Sequence, residues 1–360
     1  MIKTGTIIIA VIILFLTVIG AIHLGGFYFD RRDFSGDKEP IWGVSFRPAY
    51  AIYLGLDPKE TALAIFDDLK VTHIRLIIPW GDIEKTEDIF DFSFFDWFID
   101  ESSKRGIKII PNIGERVAGW PEFHIPDWAI QLPEAARREK LLKTEAVIVN
   151  RYKKYSAFSE NIWQVENEYL FPWNKIAHLE KELGINLCGD PEFLKREVEL
   201  VKRLTGGSVI ITDSGELSDW RKTSKIGDYF GTTLYRTVWQ RIWRKWGFPL
   251  YYGYIPPFTW ISPAYYYSKA EKLGLDINKV FIMELQTEPW VRDEALKEVS
   301  IEVQMKAFGA EKFKDNVEYA KKTGFPRVYL WGAEWWYYLK VNGHPEIWNE
   351  AKKLWNAKRP

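Results

Sequence analysis

From residue 41 onward, short apolar runs alternate with longer segments in which apolar residues recur every three or four positions. The short runs, 42–46, 72–79, 107–113, 162–166, 208–213, 229–235, 280–285 and 327–331, read as strands. Most are nearly continuous in apolar residues, as expected of strands covered on both faces of a parallel sheet. The segments between them carry a helical period. Within 58–69, Ala62, Ile65, Phe66 and Leu69 share one face. A second helix is predicted over 94–105, with Gly106 where a helix end favours a left-handed residue. A third is predicted over 293–322. Eight βα units between residues 41 and 360 favour closure into an α/β fold, a (β/α)8 TIM barrel, over an open doubly wound sheet.

The barrel is preceded by a different pattern. Between Thr4 and Phe29 there is no Lys, Arg, Asp or Glu, and 7–19 is almost wholly apolar. About 20 such residues cross a hydrocarbon core. No clean A-x-A cleavage site follows, which favours an uncleaved anchor over a signal peptide. The expected organisation is a transmembrane signal-anchor over 1–29, a polar linker over 30–40 and a catalytic domain over 41–360. Lys3 precedes the span and Arg31 and Arg32 follow it, so charge does not decide orientation. An extracytoplasmic catalytic domain is expected because the glycan substrate argued below lies outside.

Composition narrows the function. An apolar fraction of 47% supports a large core, and Lys+Arg equals Asp+Glu at 49 each, so the basic surplus of a nucleic-acid binder is missing. The single cysteine, Cys188, excludes an internal disulfide framework. Trp, Tyr and Phe number 18, 18 and 22. That suits stacking on the apolar faces of sugar rings, and equally an aromatic core or an interfacial belt.

In a barrel of this kind chemistry gathers at the C-terminal ends of the strands. The fourth strand runs into Gln164-Val165-Glu166-Asn167-Glu168-Tyr169, and the seventh ends in Met283-Glu284. Cleaving a glycosidic bond with retention takes one carboxylic acid to protonate the leaving oxygen and one carboxylate to attack the anomeric carbon, about 5–5.5 Å apart. Glu168 and Glu284, from strands facing each other across the mouth, are the candidates for acid/base and nucleophile. Arg75 and Tyr235 arrive at the same end and would hold Glu284 ionised. Asn167 is placed to bond a sugar 2-hydroxyl, and Trp331 with Glu334 to supply a stacking floor and an acceptor for hydroxyls. Glu166 competes with Glu168, and Glu288 with Glu284. No Ser/His/Asp set or HExxH motif is present, so neither a metal nor a cofactor is expected.

At these residues the chain resembles clan A of the glycoside hydrolases, barrel enzymes with paired glutamates on strands four and seven. The string Trp163-Gln-Val-Glu-Asn-Glu-Tyr169 is similar to the acid/base segment of the family 35 and 42 β-galactosidases. The resemblance implies Glu168 as acid/base with Asn167 beside it. Trp80 to Phe92, W-x-x-I-E-x-x-x-x-x-F-D-F, resembles the segment after strand two. Gly119-Trp120-Pro121 resembles the loop after strand three, and Leu330 to Trp336 the strand-eight segment. It thereby implies Trp80 and Trp120 as further substrate contacts. The chain departs from the family 35 pattern in lacking accessory β-domains and in carrying Leu170 where a glycine follows the tyrosine. A galactoside, glucan or mannan substrate therefore stays open.

An insertion over 236–267 places Trp239, Trp243 and Trp246 at helical spacing among Arg236, Arg241, Arg244 and Lys245. A basic, Trp-bearing helix suits a membrane interface; a wall of the sugar cleft or packing on the barrel are the alternatives. Two further classes remain beside the enzyme: a non-catalytic, membrane-tethered glycan-binding barrel, and a metal-assisted barrel hydrolase.

Overall fold

The computed structural model describes residues 4–30, 32–36, 38–119, 122–171, 187, 189–243, 246–251, 261–290 and 296–356. Its centre is a closed, parallel eight-stranded barrel. The strands are β1 (Ile41–Phe46), β2 (His73–Pro79), β3 (Lys108–Gly114), β4 (Ile162–Val165), β5 (Ser208–Asp213), β6 (Tyr229–Leu234), β9 (Val280–Gln286) and β10 (Arg327–Trp331), separated by a hairpin of β7 (Thr237–Trp243) and β8 (Trp246–Tyr251). With the hairpin set aside, each barrel strand pairs with its sequence neighbours and β10 closes on β1. Every predicted strand is found within two residues of its expected ends.

Residues pointing into the barrel fill it from below. Ile110, Ile162, Ile210, Phe281, Met283 and Tyr329 form one buried cluster. Gly43 and Gly231 make room for it: a Cβ on Gly43 would stand 2.7 Å from the Tyr329 ring, and one on Gly231 2.6 Å from Met283 Cγ. The larger apolar cluster lies between the strands and the surrounding helices.

Three expectations need correction. The helix predicted over 293–322 is divided among the described residues: Ile301–Ala307 is capped by Ser300, whose side chain accepts from the Val303 N–H, and Ala310–Lys321 starts after Gly309. The insertion after β6 is an antiparallel hairpin with Trp239 opposite Pro249 and Trp243 opposite Trp246. Gly247 and Pro249 explain this, since both oppose a helix interior. The side chains of 239–251 and all of 252–260 lie outside the described residues, so the interfacial reading of this segment does too.

The third concerns the N-terminus. Thr4–Asp30 forms one helix, α1, of 27 residues. Ile7, Ile9, Val11, Ile13 and Leu14 on successive faces are each more than half exposed, so among the described residues nothing covers this stretch. Among the described residues no helix is long and apolar enough to cross a membrane, and the predicted span is not established by the fold. The segment after α1 is docked onto the barrel. Phe34 stacks on Tyr267 at 4.1 Å, and its N–H donates to the Lys322 carbonyl at 3.0 Å, near the N-terminal end of β10. The chain thus joins the barrel at the end opposite the mouth.

Candidate active site

Two local departures from regular strand geometry aim the acidic side chains. Beyond Val165 the backbone turns left-handed twice, with φ of 56° at Glu166 and 45° at Glu168. Non-glycine residues hold such angles at a cost of about 1–3 kcal/mol each. The consequence is that acids two positions apart do not share a direction. The Glu166 carboxylate turns back to β3, accepting from the backbone N–H groups of Glu115 at 3.0 Å and Arg116 at 2.6 Å. Gly114 makes this possible, since a Cβ there would lie 2.5 Å from the Glu166 carboxyl carbon. Glu168 enters the mouth, where its Oε1 accepts from Thr233 Oγ1 at 3.1 Å.

On β9 the departure is a bulge. Ile282 pairs with Val328 and with Thr232, but the next partners are Leu285 for Leu330 and Glu284 for Thr233. One extra residue on β9 lets consecutive side chains take different jobs, as bulges near active sites do. Met283 fills the barrel core and Glu284 reaches the mouth. Thr233 is therefore both the cross-strand neighbour of Glu284 and a hydrogen-bond donor to Glu168. One threonine thus stands in register with the first acid and bonded to the second.

Arg75, fully buried on β2, joins the elements. It donates to Gln164 Oε1 (2.7 Å), the Met283 carbonyl (3.1 Å), Glu284 Oε1 (2.8 Å), Asn112 Oδ1 (3.4 Å) and Asn167 Oδ1 (2.9 Å). Tyr235 Oη donates to the other Glu284 oxygen at 3.0 Å. Burial, with the Glu284 charge beside it, raises the Tyr235 phenol well above its usual range, so it stays a donor. Asn167 Oδ1 also accepts from Thr212 Oγ1 at 3.0 Å. Glu168 meets the opposite treatment: burial first, then the charges of Glu122 and Glu284, raise its carboxyl well above the ordinary range, against the pull of Arg116.

A second polar group lies at the ends of β1, β9 and β10. Trp331 Nε1 and Tyr50 Oη donate to the two oxygens of Glu288 at 2.8 and 2.7 Å, and the two rings stack at 6.4 Å. Burial, with Glu284 adding to it, pushes Glu288 up to about 7. Glu334 accepts from the Arg47 N–H at 2.6 Å, and burial pushes it up to about 8. Gly119, at φ 102°, lets the loop after β3 approach: a Cβ would stand 2.8 Å from Arg47 Nη1 and 3.0 Å from the Trp331 ring.

Arg75, Asn167, Glu168, Tyr235, Glu284, Trp331 and Glu334 thus gather at one end of the barrel. Glu166 and Glu288, the competing acids, have both oxygens held by other donors. Trp80 does not line the mouth as expected. It is 1% exposed, donates to Glu84 Oε2 at 2.8 Å and meets Trp128 edge-on at 5.7 Å, so it braces the loop after β2. Trp120 lies outside the described residues. Sequence reading missed Thr233, Thr212, Tyr50, Arg47 and the Arg116–Glu122 pair (3.0 Å). Only the charges of that pair, in a loop just after a strand, offered a signal. Below the mouth, Glu145, Glu166 and Glu197 form a carboxylate group able to hold a cation.

No family model and no curated protein sequence matches the chain. Its fold is similar to that of a β-galactosidase from the Antarctic haloarchaeon Halorubrum lacusprofundi (13% identity, TM-score 0.51, covering 80% of this chain and 52% of that one). It is similar to GH5_18 from Bifidobacterium longum (10%, 0.54, 81% and 69%), and to a β-glucosidase from Exiguobacterium marinum (14%, 0.51, 82% and 88%). The chain spans about half the length of the galactosidase. Because the likeness extends to all three, it does not single out the family 35 and 42 pattern. What the comparisons establish is the fold, a (β/α)8 barrel of the kind these glycosidases share.

Proposed function

We propose that this chain hydrolyses β-glycosidic bonds with retention, Glu284 acting as nucleophile and Glu168 as acid/base. The observation that carries the reading is the contrast between the two buried carboxylates of the mouth. One is ion-paired to Arg75 and bonded by Tyr235; the other forms no ion pair among the described residues and is raised well above the ordinary carboxyl range. In the first step a Glu284 oxygen bonds to the anomeric carbon as the bond to the leaving oxygen breaks, and Glu168 gives that oxygen its proton. Once Glu284 is esterified its charge is gone, so one cause of the raised Glu168 value disappears. Glu168 then takes a proton from water, whose oxygen attacks the anomeric carbon and frees Glu284.

The substrate is a β-galactoside, β-glucan or β-mannan. The named activities of the β-galactosidase and β-glucosidase support this range, as does the structure of a GH5_18 variant in complex with Manb1-4GlcNAc. Trp331 serves as the stacking surface and Asn167 as the 2-hydroxyl partner. The test is hydrolysis of aryl β-glycosides and polysaccharides by the wild type, Glu168→Gln and Glu284→Gln, with the first-formed anomer read by NMR. Activity surviving both substitutions, or an inverted product, ends the reading.

The exposed apolar helix supports a tether: α1 anchors the protein in a membrane with the barrel outside, its mouth directed away from the point of attachment. Full-length protein should stay in the membrane pellet after alkaline carbonate extraction. Release into the supernatant would contradict an anchor.

A further inference from the structure

Beneath the mouth, two helices bring acids where their own pattern calls for apolar residues. On the helix Glu134–Tyr152, Glu145 lies in the buried stripe of Leu141, Thr144, Ile148, Val149 and Tyr152. On the helix Pro191–Thr205, Glu197 lies in the stripe of Phe193, Leu194, Val198 and Val201. Both acids face Glu166 at the end of β4, and one carboxylate oxygen from each of the three lies within 4.8 Å of the others. Glu145 and Glu197 are 1% and 0% exposed.

A second observation concerns what these side chains touch. Among the described residues, the four oxygens of Glu145 and Glu197 meet no donor outside the cluster, and only the acids themselves stand within hydrogen-bond reach. Leaving a buried acceptor unmet costs about 1–3 kcal/mol, and more for a charged group. Glu166, by contrast, is fixed in place by the Glu115 and Arg116 N–H groups, each of which occupies only one lone pair.

We propose that Glu145, Glu166 and Glu197 bind a calcium ion. Oxygens that share one Ca2+ at about 2.3–2.6 Å stand at most about 5 Å apart, so three oxygens within 4.8 Å of one another can bind a single ion. The donors are hard carboxylates without His or Cys, which disfavours zinc and iron. Three carboxylates offer six oxygens, enough for the lower end of calcium coordination. Mg2+ gives up its water reluctantly and keeps several waters when bound, so a site built from fully buried carboxylates suits it less. The ion would join both helices to β4, two residues before Glu168. It is structural, separate from the carboxylates of the mouth.

The test reads metal and stability, so its failure is distinct from any failure of the glycosidase reading. Full-length protein is stripped with EGTA, equilibrated with CaCl2 and desalted. Elemental analysis should then find about one calcium per chain. Calcium at hundredfold excess over its Kd should raise Tm by about 5 °C or more, with Mg2+ giving less. The double substitution Glu145→Gln with Glu197→Gln preserves shape and should abolish both effects. Should that variant fail to fold, Tb3+ binding to the wild type, displaced by Ca2+, supplies the second measurement. No bound calcium with an unchanged Tm overturns the site and leaves acids sharing protons. So does calcium binding that survives the double substitution.

Discussion

The two ends of the barrel treat a glutamate in opposite ways. At the base, Glu160 accepts from His73 Nε2 at 3.4 Å and from both terminal nitrogens of Arg327. Burial alone would raise it, but the bonds from His73 and Arg327 outweigh burial and pull it down to about 2. At the mouth, Glu168 has a threonine for a partner, and burial with the charges of Glu122 and Glu284 raises it against the pull of Arg116. Burial pushes both upward, more strongly at fully buried Glu168 than at half-buried Glu160, and at Glu160 the cationic partners reverse the sign. A paired acid holds strands together. An acid kept protonated without a cation is suited to giving its proton away, and such groups concentrate at functional sites.

The comparison is tested hardest by Glu168→Gln. It should lower kcat on substrates with poor leaving groups by about 10^3–10^4-fold, and much less where the leaving group needs no proton. Because the wild-type carboxyl is raised, its acid form persists to higher pH, and kcat/KM falls only as pH passes that value. In the variant this alkaline limb should vanish; a limb that stays would assign it elsewhere. Next is Arg75→Lys, which keeps the charge but not five bonds. Activity should drop about 10^2–10^3-fold and stability by about 3–5 kcal/mol in urea melts, because buried acceptors lose their donor. Tyr235→Phe removes one donor to Glu284 and should cost about 10–10^2-fold in kcat with little change in Tm.

The smallest effect on activity should come from the base. Glu160→Gln should cost about 2 kcal/mol of stability and leave kcat unchanged at 25 °C. Its folded value lies below the usual carboxyl value, so its contribution is present above about pH 4.5 and fades as pH falls toward about 2. Acid-unfolding curves of the wild type and the variant should therefore converge at low pH. Divergence there would contradict the ion-pair account.

Strand positions were legible because parallel strands buried on both faces are written as apolar runs with turn residues between them. Most candidate site residues were legible for a related reason: polar groups directly after such runs have no packing motive, and the barrel brings those ends together. What stayed hidden depends on backbone geometry. Nothing in the sequence marks the left-handed turns that send Glu166 and Glu168 apart, or the bulge that separates Met283 from Glu284. Thr233 reads as an ordinary strand residue. The Trp spacing in the insertion mimicked a helix, and Gly247 and Pro249 were the overlooked counter-signal. Trp80 looked like a cleft residue because its neighbours do, while its indole N–H is bonded to Glu84.

The central claim is that Glu284 forms a covalent bond to the sugar. A 2-deoxy-2-fluoro β-glycoside with a good leaving group should label the protein once, and peptide mass spectrometry should place the adduct on Glu284. An adduct on Glu288 or Glu168, or continued turnover with no adduct on a substrate the enzyme hydrolyses, would contradict it.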